Sequence, residues 1–245
     1  MIKERKRLKY AVLNLPRESD AVEDYDNKFA PVFRHPAYAC LGLRPALAQH
    51  TSAEHDALQR WAQGRSTLVE IGVAEGVSAL ALRETMSTDG TLYLIDPFHL
   101  SRFSALNFMK RAAHRAVESC PRGKVEWIEK FSYEAVREWT APIDLIVIDG
   151  DHSDVGVERD WNDWSRFVKP GGVVLFHDSC IFSGGWTRPD YGPVKLVNHL
   201  FRENPITGWI IREEVHSLLI VERCGSTEHE LARSQIGTDE RGPAR

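Results

Sequence analysis

The sequence predicts an α/β fold with a Rossmann-like, doubly wound and mostly parallel seven-stranded sheet that ends in an antiparallel C-terminal hairpin. Between residues 67 and 201, short β-rich runs alternate with helical segments, the order expected of parallel strands joined by helices. Two of these runs, 145–148 and 173–176, are uninterrupted apolar stretches, as in strands buried on both faces. The last two runs, 208–215 and 216–223, have no helix between them and predict a hairpin.

A helix over residues 53–62 is the first regular element that the sequence predicts. Thr51 stands three residues before Glu54, the capping-box spacing in which each side chain accepts a hydrogen bond from the other residue's backbone. Gly64 follows the segment and provides the left-handed residue that often ends a helix. This helix leads directly into the first predicted strand.

Five pairs of a strand and a helix follow in chain order. The helix after the fourth strand carries Trp161 and Trp164 at helical spacing, and we expect both rings in the core rather than in a binding site. The pairs are predicted at 67–73 with 77–86, 91–97 with 101–119, 125–131 with 132–139, 143–149 with 155–168, and 171–178 with 194–201.

The regular pattern divides the chain into three parts. Residues 1–50 lack sustained periodicity and contain four prolines, so we predict an irregular N-terminal arm that is available as a substrate lid. The folded domain is predicted over residues 51–224. Residues 225–245 are polar and almost free of large apolar side chains, which predicts a disordered tail.

Composition and charge narrow the class of partner. With 42% hydrophobic and 27% charged residues, the chain of 245 residues has the composition of a globular domain. The net charge is −4, so we expect no nucleic-acid partner. The sequence has no run of about eighteen apolar residues, so we expect no membrane partner either. The charged N-terminus and the four scattered cysteines favour a cytoplasmic protein with reduced thiols. We expect a small-molecule partner and leave the formation of a homo-oligomer open.

The glycine-bearing segment 70–76 is the first motif with chemical meaning. It follows the first strand, at the sheet edge where open α/β folds bind ligands, and Gly72 and Gly76 allow the backbone to approach a ligand closely. The third glycine of the dinucleotide fingerprint is missing, and Glu70 and Glu75 would repel a pyrophosphate. The motif therefore favours a ligand with a cationic amino-acid group over a dinucleotide.

Asp96 ends the second predicted strand, 26 residues after Glu70. A carboxylate at this place can accept hydrogen bonds from the two hydroxyls of a ribose. The alternative is that Asp96 and Pro97 only end the strand. The motif at 70–76 makes a nucleoside contact the favoured interpretation.

Three ionisable residues follow the fourth and fifth strands. Asp149 ends the fourth strand, and His177 and Asp178 end the fifth, so neighbouring strands would bring the three side chains to one point. Carboxylates with water suit Mg²⁺, while a histidine is also compatible with Mn²⁺ or Fe²⁺. The alternative for His177 is a hydrogen-bonding role behind the metal ligands.

His152 lies three residues after Asp149, at the start of the next helix, and would overhang this metal site. A histidine beside a substrate hydroxyl can accept its proton, so His152 is the candidate general base. The alternative is an ordinary surface histidine. The loop 180–193 is rich in glycine and proline and carries Trp186 and Tyr191, which makes it a candidate cover for the substrate.

The motifs together resemble a known enzyme family. VEIGVAEG at 69–76 and LYLIDPF at 92–98 resemble motif I and the second strand of class I S-adenosylmethionine-dependent methyltransferases. The segments 143–161 and 167–179 resemble the metal-dependent small-molecule O-methyltransferases of the macrocin and cephalosporin-biosynthesis type. The resemblance covers about residues 67–180.

This resemblance implies a methyltransferase domain over residues 51–224 that binds S-adenosylmethionine and a divalent metal, with Mg²⁺ preferred and Mn²⁺ as the alternative. It implies a metal bound by Asp149, His177 and Asp178, with His152 as the catalytic base. The cofactor contacts that it implies are Glu70, Gly72, Ala74, Gly76, Ser78, Asp96, Ser132 and Asp149.

The function predicted from these features is metal-assisted methylation of a hydroxyl on a small molecule. A sugar, a catechol and a natural-product phenol all satisfy the same chemistry. Two other classes of function stay open at this point. A nicotinamide-dependent oxidoreductase shares the fold, and a cofactor-binding protein without catalysis would keep the same pocket.

Overall fold

Seven strands form one mixed sheet in the computed structural model, which describes residues 35–98 and 107–225. The strands are β1 (Thr67–Ile71), β2 (Thr91–Ile95), β3 (Lys124–Ile128), β4 (Ile143–Ile148), β5 (Val168–Phe176), β6 (Trp209–Val215) and β7 (Leu218–Arg223). Their order across the sheet is β3-β2-β1-β4-β5-β7-β6. Strands β1 to β5 are parallel, and β7 runs antiparallel to both β5 and β6. The predicted fold, including the C-terminal hairpin, is confirmed.

Helices follow most of the strands, as the alternating pattern predicts. Short 3-10 turns extend the fifth and sixth helices, and a π-helical turn extends the seventh. The helices are α1 (Pro36–Cys40), α2 (Ser52–Ala62), α3 (Val77–Thr85), α4 (Phe108–Val117), α5 (Ser132–Ala135), α6 (Asp154–Trp164) and α7 (Gly192–Val197).

The core consists of two apolar layers, one on each face of the sheet. Neighbouring residues of β4 show this division, because Leu145 packs with α2, α3 and α4 while Ile146 packs with α6 and α7. Such residues alternate between the faces of a strand, so a strand between two helical layers must be apolar throughout. Trp164 is fully buried and Trp161 nearly so, which confirms that both rings belong to the core.

Some of the predictions concern residues outside the described ranges. They are the arm over residues 1–34, the start of the helix expected from residue 101, and the tail over 226–245. Within the described part of the chain, α4 begins at Phe108, and α1 packs against α4. The described helices include none with the length and apolar character that a membrane span requires.

The capping box at the start of α2 also connects this helix to the C-terminal hairpin. Glu54 is fully buried, and its Oε2 accepts a hydrogen bond from the backbone N–H of Thr51 at 2.6 Å. Its Oε1 accepts two more, from the backbone N–H and the hydroxyl of Ser217 in the β6–β7 turn, at 2.8 and 2.6 Å. The Ser217 carbonyl in turn accepts the N–H groups of Ser179 and Cys180, just beyond β5. One buried carboxylate thus links three parts of the domain.

The ends of β1 and β4 meet at the centre of the sheet, where the helical connections diverge. The backbone N–H of Asp149 donates to the carbonyl of Ile71 at 2.9 Å. A Cβ on Gly72 would lie only 2.0 Å from the carbonyl oxygen of Asp149. Only glycine therefore fits at residue 72, because a larger residue would push the two strand ends apart.

Gly72→Ala and Gly208→Ala form a matched pair, because both glycines have a φ of +87° but their surroundings differ. Gly208 has open space around a Cβ, so its substitution should cost only the left-handed backbone strain, about 1–2 kcal/mol. Gly72→Ala should cost about 1–3 kcal/mol more, since its methyl group would displace Asp149. Urea unfolding of both variants measures the two losses, and equal losses would contradict the close contact.

Candidate active site

The turn between β1 and α3 is built from left-handed backbone conformations. The angle φ is +87° at Gly72, +47° at Ala74 and +81° at Gly76. Helix α4 closes one side of this turn, because a Cβ on Gly76 would lie 3.0 Å from backbone atoms of Ala113. The glycines at the two ends of the turn are therefore required both by φ and by space.

A pocket lies against this turn and unites several of the predicted site residues. Residues 73–78 form one wall, and Asp149 and His177 form another. The sequence did not predict the remaining wall, which includes Leu47 and His50 from the segment just before α2. Burial lowers the pKa of His50 to about 3, so its imidazole is neutral at physiological pH. The only sequence signal for this wall is its position next to the helix that precedes β1.

Glu70 lies near the end of β1 and is fully buried, with no hydrogen-bond partner for either carboxylate oxygen among the described residues. Burial raises its pKa to about 8; the Ser78 hydroxyl offsets part of that rise, and the charges of Asp149 and Asp96 add to it. A buried carboxylate without a donor is unfavourable. Glu70 therefore places a buried acidic group just before the turn that lines the pocket.

Glu75 corrects the expectation that two carboxylates of this motif face the ligand. Its buried carboxylate is paired with the two terminal nitrogens of Arg44 at 2.6 and 2.7 Å. It also accepts the backbone N–H of Leu47 at 2.8 Å. Glu75 therefore lines the pocket as a carboxylate that Arg44 already neutralises. Arg44 lies 31 residues earlier in a segment without periodicity, and so the sequence did not reveal the pair.

Asp96 lies beside the same turn, and its carboxylate holds the turn in place. Its Oδ2 accepts the backbone N–H groups of Val73 at 2.9 Å and Ala74 at 3.4 Å, and its Oδ1 accepts that of Phe98 at 2.6 Å. A carboxylate oxygen can accept a second hydrogen bond, so these contacts leave capacity for a ribose hydroxyl. Asp96 is therefore placed for both structure and binding.

Ser132 and Ser78 differ in their availability. Ser78 lines the pocket, as its predicted role requires. Ser132 is buried at the start of α5, where its hydroxyl donates to the carboxylate of Asp160 in α6. Burial raises the pKa of Asp160 to about 6, which the bond from Ser132 partly offsets. The Ser132 side chain is thus engaged in joining two helices rather than open to a ligand.

Asp149, His152 and Asp178 form the second half of the site. The His152 Nε2 lies 3.4 Å from Oδ1 of Asp149 and 3.3 Å from Oδ2 of Asp178. One ligand atom of each residue lies within 4.8 Å of the others, a grouping found once among the described residues. Asp178 has a φ of +53°, in the left-handed region that aspartate adopts more readily than most residues.

His177 contacts the same carboxylates from the buried side. Its Nδ1 is hydrogen-bonded to Oδ1 of Asp149 at 3.1 Å and lies 3.3 Å from Oδ1 of Asp178. Its Nε2 is buried and has no partner among the residues that the structure describes. The structure therefore brings both histidines to the predicted point, but His152 completes the group that is within reach of a single ion.

The two carboxylates control the protonation of both histidines. Hydrogen bonds to Asp149 and Asp178 raise the pKa of His152 to about 10. Burial lowers the pKa of His177, but the charge and hydrogen bond of Asp149 outweigh this effect and raise it to about 10. Burial alone would raise the pKa of Asp149, but the same two histidines outweigh this effect and lower it. Asp149 and Asp178 therefore stabilise positive charge between the ends of β4 and β5.

The donors at this point fit a divalent cation. Asp149 and Asp178 offer carboxylate oxygens, and His152 offers an imidazole nitrogen, at distances that one ion can bridge. Carboxylates with water suit Mg²⁺, and a set that includes an imidazole also suits Mn²⁺ or Fe²⁺. The residue types in this group are thus those that bind a divalent cation.

The loop 180–193 packs against this group. The indole N–H of Trp186 donates to Oδ1 of Asp178 at 2.6 Å, and Phe182 contacts the Trp186 ring edge-on. At the other end of the loop, the Gly192 N–H donates to the His152 carbonyl at 3.2 Å. The loop that the sequence indicated as a cover therefore orients two members of the candidate metal group.

Comparison with known proteins supports the identity of the domain. Residues 69–179 match a family model described as a methyltransferase domain. This segment contains both halves of the site, from motif I to Asp178.

Solved structures of low sequence identity share the fold. A protein of Corynebacterium glutamicum superposes with a TM-score of 0.58 at 14% identity, over 82% of this chain and 94% of that one. An O-methyltransferase of Bacillus cereus in complex with SAH gives 0.53 at 16% identity, over 80% and 93%. TomG of Streptomyces achromogenes, an O-methyltransferase of tomaymycin synthesis in complex with SAM, gives 0.52 at 18% identity, over 81% and 92%. With the family match, this fold confirms the class I methyltransferase resemblance, and the chain carries an enzyme domain.

The buried carboxyl group of Glu70 should make the stability of the protein depend on pH. Its pKa is raised from 4.5 to about 8 in the folded protein, so between these values the folded chain holds a proton that the unfolded chain has released. The free energy of unfolding should therefore fall as pH rises through this window, by up to about 1.4 kcal/mol per pH unit. Urea unfolding of wild type and Glu70→Gln from about pH 5 to 8 measures the difference. Glu70→Gln should lose the Glu70 part of this slope, while the raised pKa values of His152 and His177 keep a slope above pH 6.5 in both proteins. Parallel curves would show that Glu70 is ionised when folded.

Proposed function

We propose that this protein is an S-adenosylmethionine-dependent, divalent-metal-assisted O-methyltransferase that acts on a hydroxyl of a small molecule such as a sugar, a catechol or a natural-product phenol. The proposal is carried by one observation. A turn suited to the cofactor and a carboxylate–histidine group suited to a cation lie side by side where β1 and β4 meet. Two structural relatives, the Bacillus cereus protein and TomG, are themselves O-methyltransferases.

The residues around the turn match the parts of the proposed cofactor. The unpartnered carboxylate of Glu70 suits the α-ammonium group, and Asp96 retains acceptor capacity for the ribose hydroxyls. Ala74 and Gly76 line the pocket and would border the methionine end of the cofactor. A nicotinamide dinucleotide fits less well, because its pyrophosphate would meet the buried carboxylate of Glu70.

Bound in this site, S-adenosylmethionine would supply an electrophilic methyl group, and Mg²⁺ or Mn²⁺ would supply the Lewis acidity that lowers the pKa of a hydroxyl. Asp149 and Asp178 offer the oxygen ligands, and we assign His152, the third member of this group, to proton transfer rather than to ligation. We assign His177 to orientation of Asp149 through its Nδ1, because it contacts this carboxylate from the buried side.

His152 is the proposed general base. Its side chain is 39% exposed, so it lies on the open side of the two carboxylates, where an acceptor hydroxyl can enter. The carboxylates cause its pKa of about 10, and the imidazole can therefore accept a proton only once their negative charge is compensated. Trp186 holds Asp178 from the side of the loop 180–193, through the hydrogen bond from its indole N–H.

Substitutions of the proposed metal-site residues should distinguish the metal ligands from the general base. Asp149→Ala and Asp178→Ala should abolish stoichiometric binding of Mn²⁺ and nearly all methyl transfer, since each removes a carboxylate ligand. His152→Ala should retain S-adenosylhomocysteine binding but lose about 10²- to 10⁴-fold in rate, the usual contribution of a general base. Calorimetry and transfer of labelled methyl to a panel of catechols, phenols and sugars measure these effects.

Asp89→Ala is the control, because this aspartate is exposed before β2, outside the loop 180–193, and its loss should leave both properties unchanged. Exhaustive EDTA treatment of the wild type should mimic the aspartate variants and be reversed by Mg²⁺ or Mn²⁺. Full methyl transfer after chelation would refute metal assistance. Binding of NAD without binding of S-adenosylhomocysteine would refute the methyltransferase proposal itself.

Asp96→Ala should weaken the binding of S-adenosylhomocysteine by about 1–3 kcal/mol, because the ribose hydroxyls lose a charged acceptor and the turn loses its backbone bonds. Asp89→Ala, an exposed aspartate before β2, serves as the control and should bind with unchanged affinity. Titration calorimetry measures both variants. Wild-type affinity in Asp96→Ala would place the ribose elsewhere.

A further inference from the structure

The segment that precedes α2 is joined to the cofactor turn by a buried ion pair. Arg44 and Glu75 have side chains that are 3% and 6% exposed, and their closest nitrogen and oxygen atoms are 2.6 Å apart. The second nitrogen of the guanidinium group reaches the other carboxylate oxygen at 2.7 Å, so the pair is bidentate. A bidentate pair fixes orientation as well as distance.

A backbone contact reinforces this junction. The N–H of Leu47 donates to Glu75 at 2.8 Å, on the same oxygen that one nitrogen of Arg44 contacts. The other end of the segment is also held, because His50 is buried and its Nε2 lies 3.1 Å from Nδ1 of His55 in α2. The segment 44–50 is therefore anchored at both ends, and it lines the pocket between these anchors.

Glu75 itself occupies a sensitive place in the turn. It stands between Ala74 and Gly76, whose φ angles are both positive, and Gly76 has no space for a side chain beside Ala113. The turn is thus confined between α4 on one side and the Arg44 segment on the other. A change in the ion pair must alter the position of Glu75 and, through it, the backbone that faces the pocket.

From this geometry we infer that Arg44 is a positioning residue for the cofactor turn and that the segment 44–50 is part of the cofactor site. The inference rests on the proposed function, since it takes S-adenosylmethionine to be the ligand of the turn. Arg44 acts through Glu75 and does not itself contact the cofactor. A region that the sequence indicated only as an arm thereby acquires a defined role in binding.

The test is a double-mutant cycle on the affinity for S-adenosylhomocysteine. Arg44→Met and Glu75→Gln should each raise its Kd at least about tenfold, because each leaves a buried charge without its partner. The double variant should lose no more affinity for S-adenosylhomocysteine than the more strongly affected single variant, since both residues act as one unit. Arg44→Lys should retain part of the affinity, because it keeps the charge but not the bidentate geometry. Mn²⁺ affinity should stay within about threefold of wild type in all variants, since Asp149 and Asp178 do not contact the pair.

Arg60→Met provides the matched control. Arg60 and Glu213 are also 2.6 Å apart, but their side chains are 54% and 33% exposed, and so this variant should bind S-adenosylhomocysteine normally. If Arg44→Met does not unfold cooperatively, Arg44→Lys and Glu75→Gln decide the question. Wild-type Kd values in both would overturn the inference, as would additive losses in the cycle. Failure of the wild-type protein to bind S-adenosylhomocysteine would instead overturn the proposed function.

Discussion

The contact between the ends of β1 and β4 is the constraint on which the site depends. The backbone of Gly72 lies so close to the carbonyl of Asp149 that no side chain fits between them. Asp149 begins the carboxylate group, and Gly72 begins the turn that faces the pocket. The two halves of the site are therefore held at one separation by the main chain, which suits a reaction in which two bound groups must meet in line.

At the carboxyl ends of the parallel strands, residues with strained backbone conformations are held by buried hydrogen bonds. Ala74 and Asp178 both have positive φ angles, and each strained conformation is over-determined by its neighbours. Asp96 accepts the N–H groups of the turn around Ala74, while the residues after Asp178 donate to the Ser217 carbonyl. The edge that carries the candidate site is therefore held in shape by hydrogen bonds that involve residues outside that site.

Periodicity and strand-end motifs were sufficient to predict the fold and the outline of the site. Continuous apolar runs identify strands buried on both faces, and residues that follow such strands must meet at one edge, as Asp149 and Asp178 do. The periodicity of a strand does not determine the direction in which a histidine ring points, because that direction depends on the neighbouring side chains. The sequence therefore placed His152 and His177 at one point without showing that His152, rather than His177, completes the group with Asp149 and Asp178. The ion pair between Arg44 and Glu75 could not be predicted from the sequence either, because it depends on how a segment without periodicity folds back onto the domain.

The bond network of Glu54 has a consequence for how the protein is made. Glu54 and Ser217 are separated by 163 residues, and the sheet places β7 between β5 and β6. Contacts so distant in the chain form late and slow the folding of a domain. A nascent chain can build β1 to β4 early, but the support beneath Asp178 must wait until the C-terminal hairpin has left the ribosome. Asp178 therefore gains this support only after β7 has been made, well after the strands β1 to β4.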